Sequence, residues 1–244
     1  MKIKSITNIF PTFVMVGQAE EFSRAENEEL SKLSWEVYRN NFPTETLQAR
    51  VANTGYYTSE KRHDLFEDYC HLPVVMKLAE AADSMCRAYM REIYHFDCIY
   101  PIKMMAEPFC QNEETGKNGM ACHTHVGKPL FITYYPSVKL KRRAHSSIKD
   151  NGINGEVSFY DPANVGRRIW PCLNTSFASG STFRVAVREG MFTAFEGHVP
   201  HDSAPFEGEE RVCIPIICYP KLPSKNLGST LEALRKKVAE NENK

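Results

Sequence analysis

The chain has 244 residues, 42% of them hydrophobic, and Lys plus Arg balances Asp plus Glu at 30 each, for a formal net charge of zero. That balance excludes a protein whose main task is coating nucleic acid, which needs a basic excess against phosphate, and the apolar content excludes an acidic disordered chain. No apolar run approaches the roughly 18 residues of a membrane span, and residues 1–16, interrupted by Thr7, Asn8 and Pro11, make a poor signal peptide. A cytoplasmic protein with no membrane partner is expected. The eight cysteines contain no CxxC pair, which argues against a zinc finger and for free, mostly buried thiols in a reducing compartment.

Residues 18–40 set Phe22, Ala25, Leu30, Leu33, Val37 and Tyr38 on one face and predict a helix that Phe42-Pro43 stops. Residues 73–94 predict a second, opening on Pro73, with Val75, Leu78, Ala82, Met85, Tyr89, Met90 and Ile93 as a core stripe. After Pro101 the texture changes to short apolar runs between Gly, Pro, Asn and Asp: 130–135, 156–160, 183–187, 191–195 and 212–219. Such runs predict the strands of a sandwich or barrel. Arg188-Glu189-Gly190 reads as a hairpin loop, with Gly190 where a positive φ is wanted, and Pro215 demotes the last run to an edge or marks a bulge.

Residues 136–155 and 163–182 lack strand character and predict long loops. Lys139, Lys141, Arg142, Arg143, His145 and Lys149 in the first, with Arg167 and Arg168 in the second, point to an anionic or macromolecular substrate, against the plainer alternative of solvated tips. Residues 227–244 predict a charged helix capped by Ser229 or Thr230. No composition shift divides the chain, so one domain over 1–244 is expected: mainly helical support to residue 100, a β core over 101–220, and a helical tail over 221–244. Nothing in the pattern sets an oligomeric state.

The chemistry lies in two segments. In Ala121-Cys122-His123-Thr124-His125, the two imidazoles fall on one face of a strand and can share a metal ion. Pro200-His201 follows a later strand, and a third imidazole from there would complete a facial set that leaves positions open on an octahedral ion. Ten residues beyond His201, Arg211 opens the next apolar strand, where a buried guanidinium needs an anion and a bidentate carboxylate is its natural partner.

These residues, with Tyr134-Tyr135, the phrase Gly155-Glu156-Val157-Ser158-Phe159-Tyr160-Asp161-Pro162, Glu189-Gly190 and Phe195 in the same order and spacing, make residues 121–219 resemble the 2-oxoglutarate/Fe(II)-dependent oxygenase superfamily. More narrowly, the chain resembles the oxygenase group common in bacteriophage and marine bacterial genomes, with a weaker match at Ile9-Phe10-Pro11-Thr12. The resemblance implies an α+β fold, a double-stranded β-helix (jelly-roll, cupin-like) barrel with supporting N-terminal helices. It implies that His123, His125 and His201 hold Fe(II). Arg211 would clamp the distal carboxylate of 2-oxoglutarate, and whichever of Tyr134 and Tyr135 points inward would hydrogen-bond the keto acid. O2 would be consumed, an unidentified substrate hydroxylated, and succinate and CO2 released; a phage-encoded member would act in the host cytoplasm.

The chain also departs from that pattern. It has H-x-H where the superfamily has H-x-D or H-x-E, and Arg211-Val212-Cys213 lacks the hydroxyl of the frequent R-x-S. His198 is a rival ligand, while Asp202 should face away from His201. Two other readings stay open: a three-histidine cupin-type dioxygenase that does not use 2-oxoglutarate, and a non-catalytic jelly-roll binding or structural module.

Overall fold

Alternating and continuous apolar runs give this chain two facing antiparallel sheets, and its two amphipathic helices cover the larger one. The computed structural model describes residues 2–9, 12–41, 63–99, 102–113, 119–125, 127–140, 155–161, 182–220 and 230–242. The basic residues Lys141 to Lys149, Arg167, Arg168, the Phe42-Pro43 stop and Ser229 lie outside them.

The first helix, α1 (Arg24–Asn41), starts later than its apolar pattern because Ser23 and Glu26 form a capping box. The Ser23 N–H donates to Glu26 Oε2 at 2.7 Å and the Glu26 N–H to Ser23 Oγ at 3.3 Å, satisfying donors that a helix start leaves open. Lys77 and these Ser23 bonds hold the Glu26 carboxyl down at about 2. A short helix, α2 (Leu65–Tyr69), is capped by Asp64, whose Oδ1 accepts from Phe66 N and Glu67 N while Oδ2 reaches Ala106 N. The long helix α3 (Pro73–Tyr94) opens on Pro73, where the missing N–H costs nothing, and ends on His95 in the left-handed conformation. The fourth helix, α4 (Thr230–Glu242), is joined to α3 by the Arg235–Glu80 ion pair at 2.8 Å.

Residues 1–100 are not purely helical. The strands β1 (Lys2–Ile9) and β2 (Thr12–Gln18) form an antiparallel hairpin, and β2 continues onto the main sheet. The β-branched content of this stretch suits a strand.

The remaining strands are β3 (Ile102–Ala106), β4 (Phe109–Gln111), β5 (Met120–His123), β6 (Leu130–Leu140), β7 (Val157–Tyr160), β8 (Thr182–Val185), β9 (Met191–Glu196), β10 (His201–Ser203) and β11 (Gly208–Pro220). The large sheet runs β1-β2-β9-β6-β11-β3, with β4 also beside β11, and the small sheet runs β5-β10-β7-β8. From β4 to β11 the chain passes back and forth between the two sheets, which is the connectivity of a jelly roll, the double-stranded β-helix. No strand pairing joins the sheets among the described residues, so the expected barrel is an open two-sheet sandwich.

Three local expectations change with this topology. Gly190 does turn with φ +76°, yet β8 and β9 sit in different sheets, so the turn is a crossover and not a hairpin. Strand β6 continues through Pro136 to Leu140, because pairing with β9 ends at Tyr135 and β11 carries a register shift opposite, so the missing N–H removes little. Pro215 lies in a central strand. Its carbonyl accepts from Glu107 N between the segments paired with β4 and with β3, so its absent N–H faces a break in the neighbouring strand.

Two apolar layers result. Leu130, Ile132 and Tyr134 on β6, Phe192 and Ala194 on β9, and Val212, Ile214, Ile216 and Cys218 on β11 pack against Leu30, Val37, Leu78, Met85 and Tyr89 of the helices. Phe131, Tyr135, Val157, Phe159, Phe195, Val199 and Ile217 fill the space between the sheets. Burial on both faces is why β6 reads as an unbroken apolar run.

Candidate metal centre

His123 ends β5 and His201 opens β10, and the two are direct partners across the antiparallel ladder. His125 lies just past the end of β5. Its N–H donates to the Gly197 carbonyl at 2.7 Å, and its ring stacks on Phe131 with centroids 3.8 Å apart. One ligand nitrogen from each imidazole falls within 4.8 Å of the others. Strand alternation accounts for His123 and His201, and a backbone bond to the β9–β10 turn holds His125.

The His201 ring is buried against Phe195 and Phe159, with Nδ1 2.9 Å from the Val199 carbonyl. That carbonyl can only accept, so Nδ1 carries the proton and Nε2 keeps its lone pair for the cluster. Burial, with His123 nearby, lowers His201 to about 3; burial, with His123 and Lys128 nearby, lowers His125 to about 4. Both are therefore neutral at physiological pH, the state in which an imidazole binds metal. Three convergent nitrogen donors, one pre-oriented, with no carboxylate among them fit a first-row transition ion and suit neither Ca(II) nor Mg(II).

Acid should therefore destabilise the metal-free protein. Between the ordinary imidazole value of 6.5 and about 3, the unfolded chain takes up protons that the folded chain excludes at these two positions. Stability is complete above that window and falls as pH drops through it, by an amount on the order of several kcal/mol if both groups must charge while buried. Melting curves from neutral pH down to about pH 4 should show the loss, and His201→Asn should flatten part of it. An equal slope in that variant would assign the acid sensitivity to other groups.

Gly197 sets the position of His125 by close approach. A Cβ there would lie 2.1 Å from Lys128 O and 2.7 Å from His125 O, both rigid backbone atoms. Gly197→Ala should cost about 1–3 kcal/mol of stability and, by displacing His125, weaken metal binding roughly tenfold. Melting and metal titration of one preparation check both effects, and unchanged metal affinity would free His125 from this contact.

Arg211 is 3% exposed on β11 and pairs in register with Gln111 on β4. Its Nε donates to Gln111 Oε1 at 2.7 Å, Nη1 to the Gly155 carbonyl at 2.8 Å, and Nη2 to Ser203 Oγ at 3.0 Å and again to Gln111 Oε1. Every acceptor is neutral, and burial lowers the guanidinium's pKa. No carboxylate pairs with it among the described residues, so a buried positive charge stands without a counter-ion.

Ser203 and His201 lie opposite Val157 and Phe159 of β7, both in the layer between the sheets, so a hydroxyl reaches Arg211 from the strand that carries His201. Ser203 thus sets a hydroxyl against Arg211, where the Cys213 side chain has none. Its i, i+2 spacing from His201 was a usable sequence signal. Gln111 had none, because the three-residue strand that carries it is too short for any period to register.

The tyrosine pair divides between the layers. Tyr135 lies between the sheets, and burial holds its hydroxyl protonated. Tyr134 packs under the helices and donates to Asn27 Oδ1 at 2.6 Å, so it does not belong to the site as expected. His198 is exposed, with Nδ1 3.1 Å from Glu196 Oε2, and is not in the cluster. Asp202 accepts from the Tyr160 hydroxyl and is likewise outside it, and Cys122 is exposed.

The fold and this cluster define a class: a jelly roll with a three-histidine cluster able to hold a metal ion, and a buried arginine that meets no carboxylate among the described residues. No protein-family model and no curated protein sequence matches the chain. Solved structures do. A prolyl-4-hydroxylase from Pseudomonas putida is 12% identical, with 84% of this chain and 91% of that chain covered at a TM-score of 0.47. A prolyl hydroxylase from Trichoplax adhaerens, in complex with a hypoxia inducible factor peptide fragment, is 12% identical over 85% and 83% at 0.49. HygX from Streptomyces hygroscopicus, with iron bound, is 13% identical over 87% and 84% at 0.45. The likeness to these solved structures is one of chain path. No helix among the described residues is long and apolar enough to cross a membrane.

Proposed function

We propose that this protein is a non-haem Fe(II) and 2-oxoglutarate dependent oxygenase that hydroxylates a substrate not yet identified. The observation that carries the reading is the pairing of two features in one inter-sheet layer: three imidazoles with converging nitrogens, and a buried guanidinium that meets no carboxylate among the described residues. A cation site beside an anion site is what a metal-chelating dicarboxylate requires.

In this reading His123, His125 and His201 hold iron, with His201 binding through Nε2. Arg211 clamps the distal carboxylate of 2-oxoglutarate, and the Tyr135 hydroxyl donates to the keto acid. Phe131, Phe159, Phe195 and Val199 exclude water from His125 and His201 and keep these two neutral. When bound, iron and the keto acid supply the oxidising chemistry, with O2 consumed and succinate and CO2 released. The residues of this chain bind, orient and desolvate. An anionic or macromolecular substrate is favoured by the basic composition of residues 139–149 and by Arg167 and Arg168.

Anaerobic titration with Fe(II) and 2-oxoglutarate tests this. The expected result is a visible metal-to-ligand charge-transfer band that saturates at one equivalent. The absence of any carboxylate in the ligand set favours a second reading, a three-histidine dioxygenase independent of the keto acid. Stoichiometric iron binding with no band would select it, and no iron binding would leave the jelly roll as a binding module.

A further inference from the structure

Around Arg211 the supply of hydrogens exceeds the supply of acceptors. A guanidinium has five N–H donors, and four bonds are made: two to Gln111 Oε1, one to the Gly155 carbonyl and one to Ser203 Oγ. The fifth, on Nη1, has no acceptor among the described residues, and neither has the hydroxyl proton of Ser203. Gln111 is 0% exposed, and its Nε2, with two further hydrogens, is a buried donor with no partner. Turning the amide over would set N–H against N–H at Arg211, so the orientation is fixed by the guanidinium. Leaving such groups unmade in a folded interior is costly.

We infer that Gln111 and Ser203 are the specificity determinants of an anion seat centred on Arg211, and that Gln111 Nε2 and the Ser203 hydroxyl donate to a ligand carboxylate lodged there. The inference rests on the 2-oxoglutarate reading above and adds to it the residues that recognise the distal group. Gln111 has a double task. Its Oε1 occupies the Nε–Nη2 edge of the guanidinium as a neutral stand-in for a carboxylate, so Arg211 stays oriented while its charge remains available. Its Nε2 then adds a donor. A seat made only of donors accepts a carboxylate and rejects a carboxamide, whose own N–H groups would meet them head on. The sheets supply the convergence: Gln111 comes from β4 and Arg211 from β11 of the large sheet, and Ser203 from β10 of the small one.

The decisive substitution is Gln111→Glu, which changes one atom and puts a carboxylate on the guanidinium fork. The protein should fold and melt at or above the wild-type temperature, because Arg211 gains an internal counter-ion, and Co(II) binding at the histidines should be unchanged. Affinity of the Co(II)-loaded protein for 2-oxoglutarate, measured by isothermal titration, should fall about a hundredfold, since the seat is neutralised and presents like charge to the ligand. Ser203→Ala should lose about tenfold, with Co(II) affinity intact. Wild-type protein should also prefer 2-oxoglutarate to its terminal amide, 2-oxoglutaramate, by at least about a hundredfold.

Wild-type affinity for 2-oxoglutarate in Gln111→Glu would overturn the inference alone. Should that variant fail to fold, undiminished affinity in both Ser203→Ala and Gln111→Met would overturn it. A wild-type protein that takes Co(II) but neither keto acid would remove the oxygenase reading, and the inference with it.

Discussion

Replacing His201 with alanine should abolish stoichiometric iron binding while the jelly roll stays folded. His201 is the one ligand candidate that is both almost fully buried and oriented through its second nitrogen, by the Val199 carbonyl. Its removal leaves His123 and His125 as a pair, and two half-buried imidazoles hold a first-row ion far more weakly than three. A loss of at least about a hundredfold is expected, larger than the effect of a supporting residue one bond removed. The fold should survive because the ring contributes no strand pairing, and in metal-free protein at mildly acidic pH its loss removes a group that resists protonation. His198→Ala should keep iron, since that side chain pairs with Glu196 outside the cluster. Metal analysis by plasma emission on dialysed protein reads both variants, and equal iron content in His201→Ala would strike His201 from the ligand set.

Replacing Arg211 with alanine should weaken 2-oxoglutarate binding by about 3 kcal/mol, the scale for losing a buried charged hydrogen-bond pair. It should leave iron binding intact, because none of the three imidazoles bonds to the guanidinium among the described contacts. It also carries a stability cost that the histidine variants do not. Gln111 Oε1 and the Gly155 carbonyl lose their donor in a buried setting, about 1–3 kcal/mol for each. Arg211→Lys should recover only part of the affinity, since an ammonium cannot bond Gln111, Gly155 and Ser203 together in the geometry of a fork. Keto-acid titration beside melting curves separates the two effects. Undiminished affinity in Arg211→Ala would assign the guanidinium a purely structural place between the sheets.

The helices were legible where the periodicity was long. Residues 73–94 carry a stripe over six turns and a Pro at the start, and α3 has those bounds. Strands were legible where the apolar run is long, as in β6, β9 and β11, and passed unseen at β4 and β10, which have three residues each. One of the two carries His201 and the other Gln111, so two strands of the candidate site are the least readable ones.

By itself the sequence determined the identity of the chemistry-bearing groups. His123 and His125 announce themselves by spacing, His201 and Arg211 by their places after and before strands, and the oxygenase resemblance by the order of all four. It could not decide between Tyr134 and Tyr135, because alternation says that they differ and not which layer each enters. Nor could it find the neighbours of Arg211. Those are set by contacts between residues far apart in the chain: the ladder that aligns His201 with His123, the helices that claim Tyr134 through Asn27, and the β4–β11 register that lays Gln111 against the guanidinium. Local pattern encodes which face of a strand is apolar; only the closing of the second sheet over the first decides which buried polar groups meet.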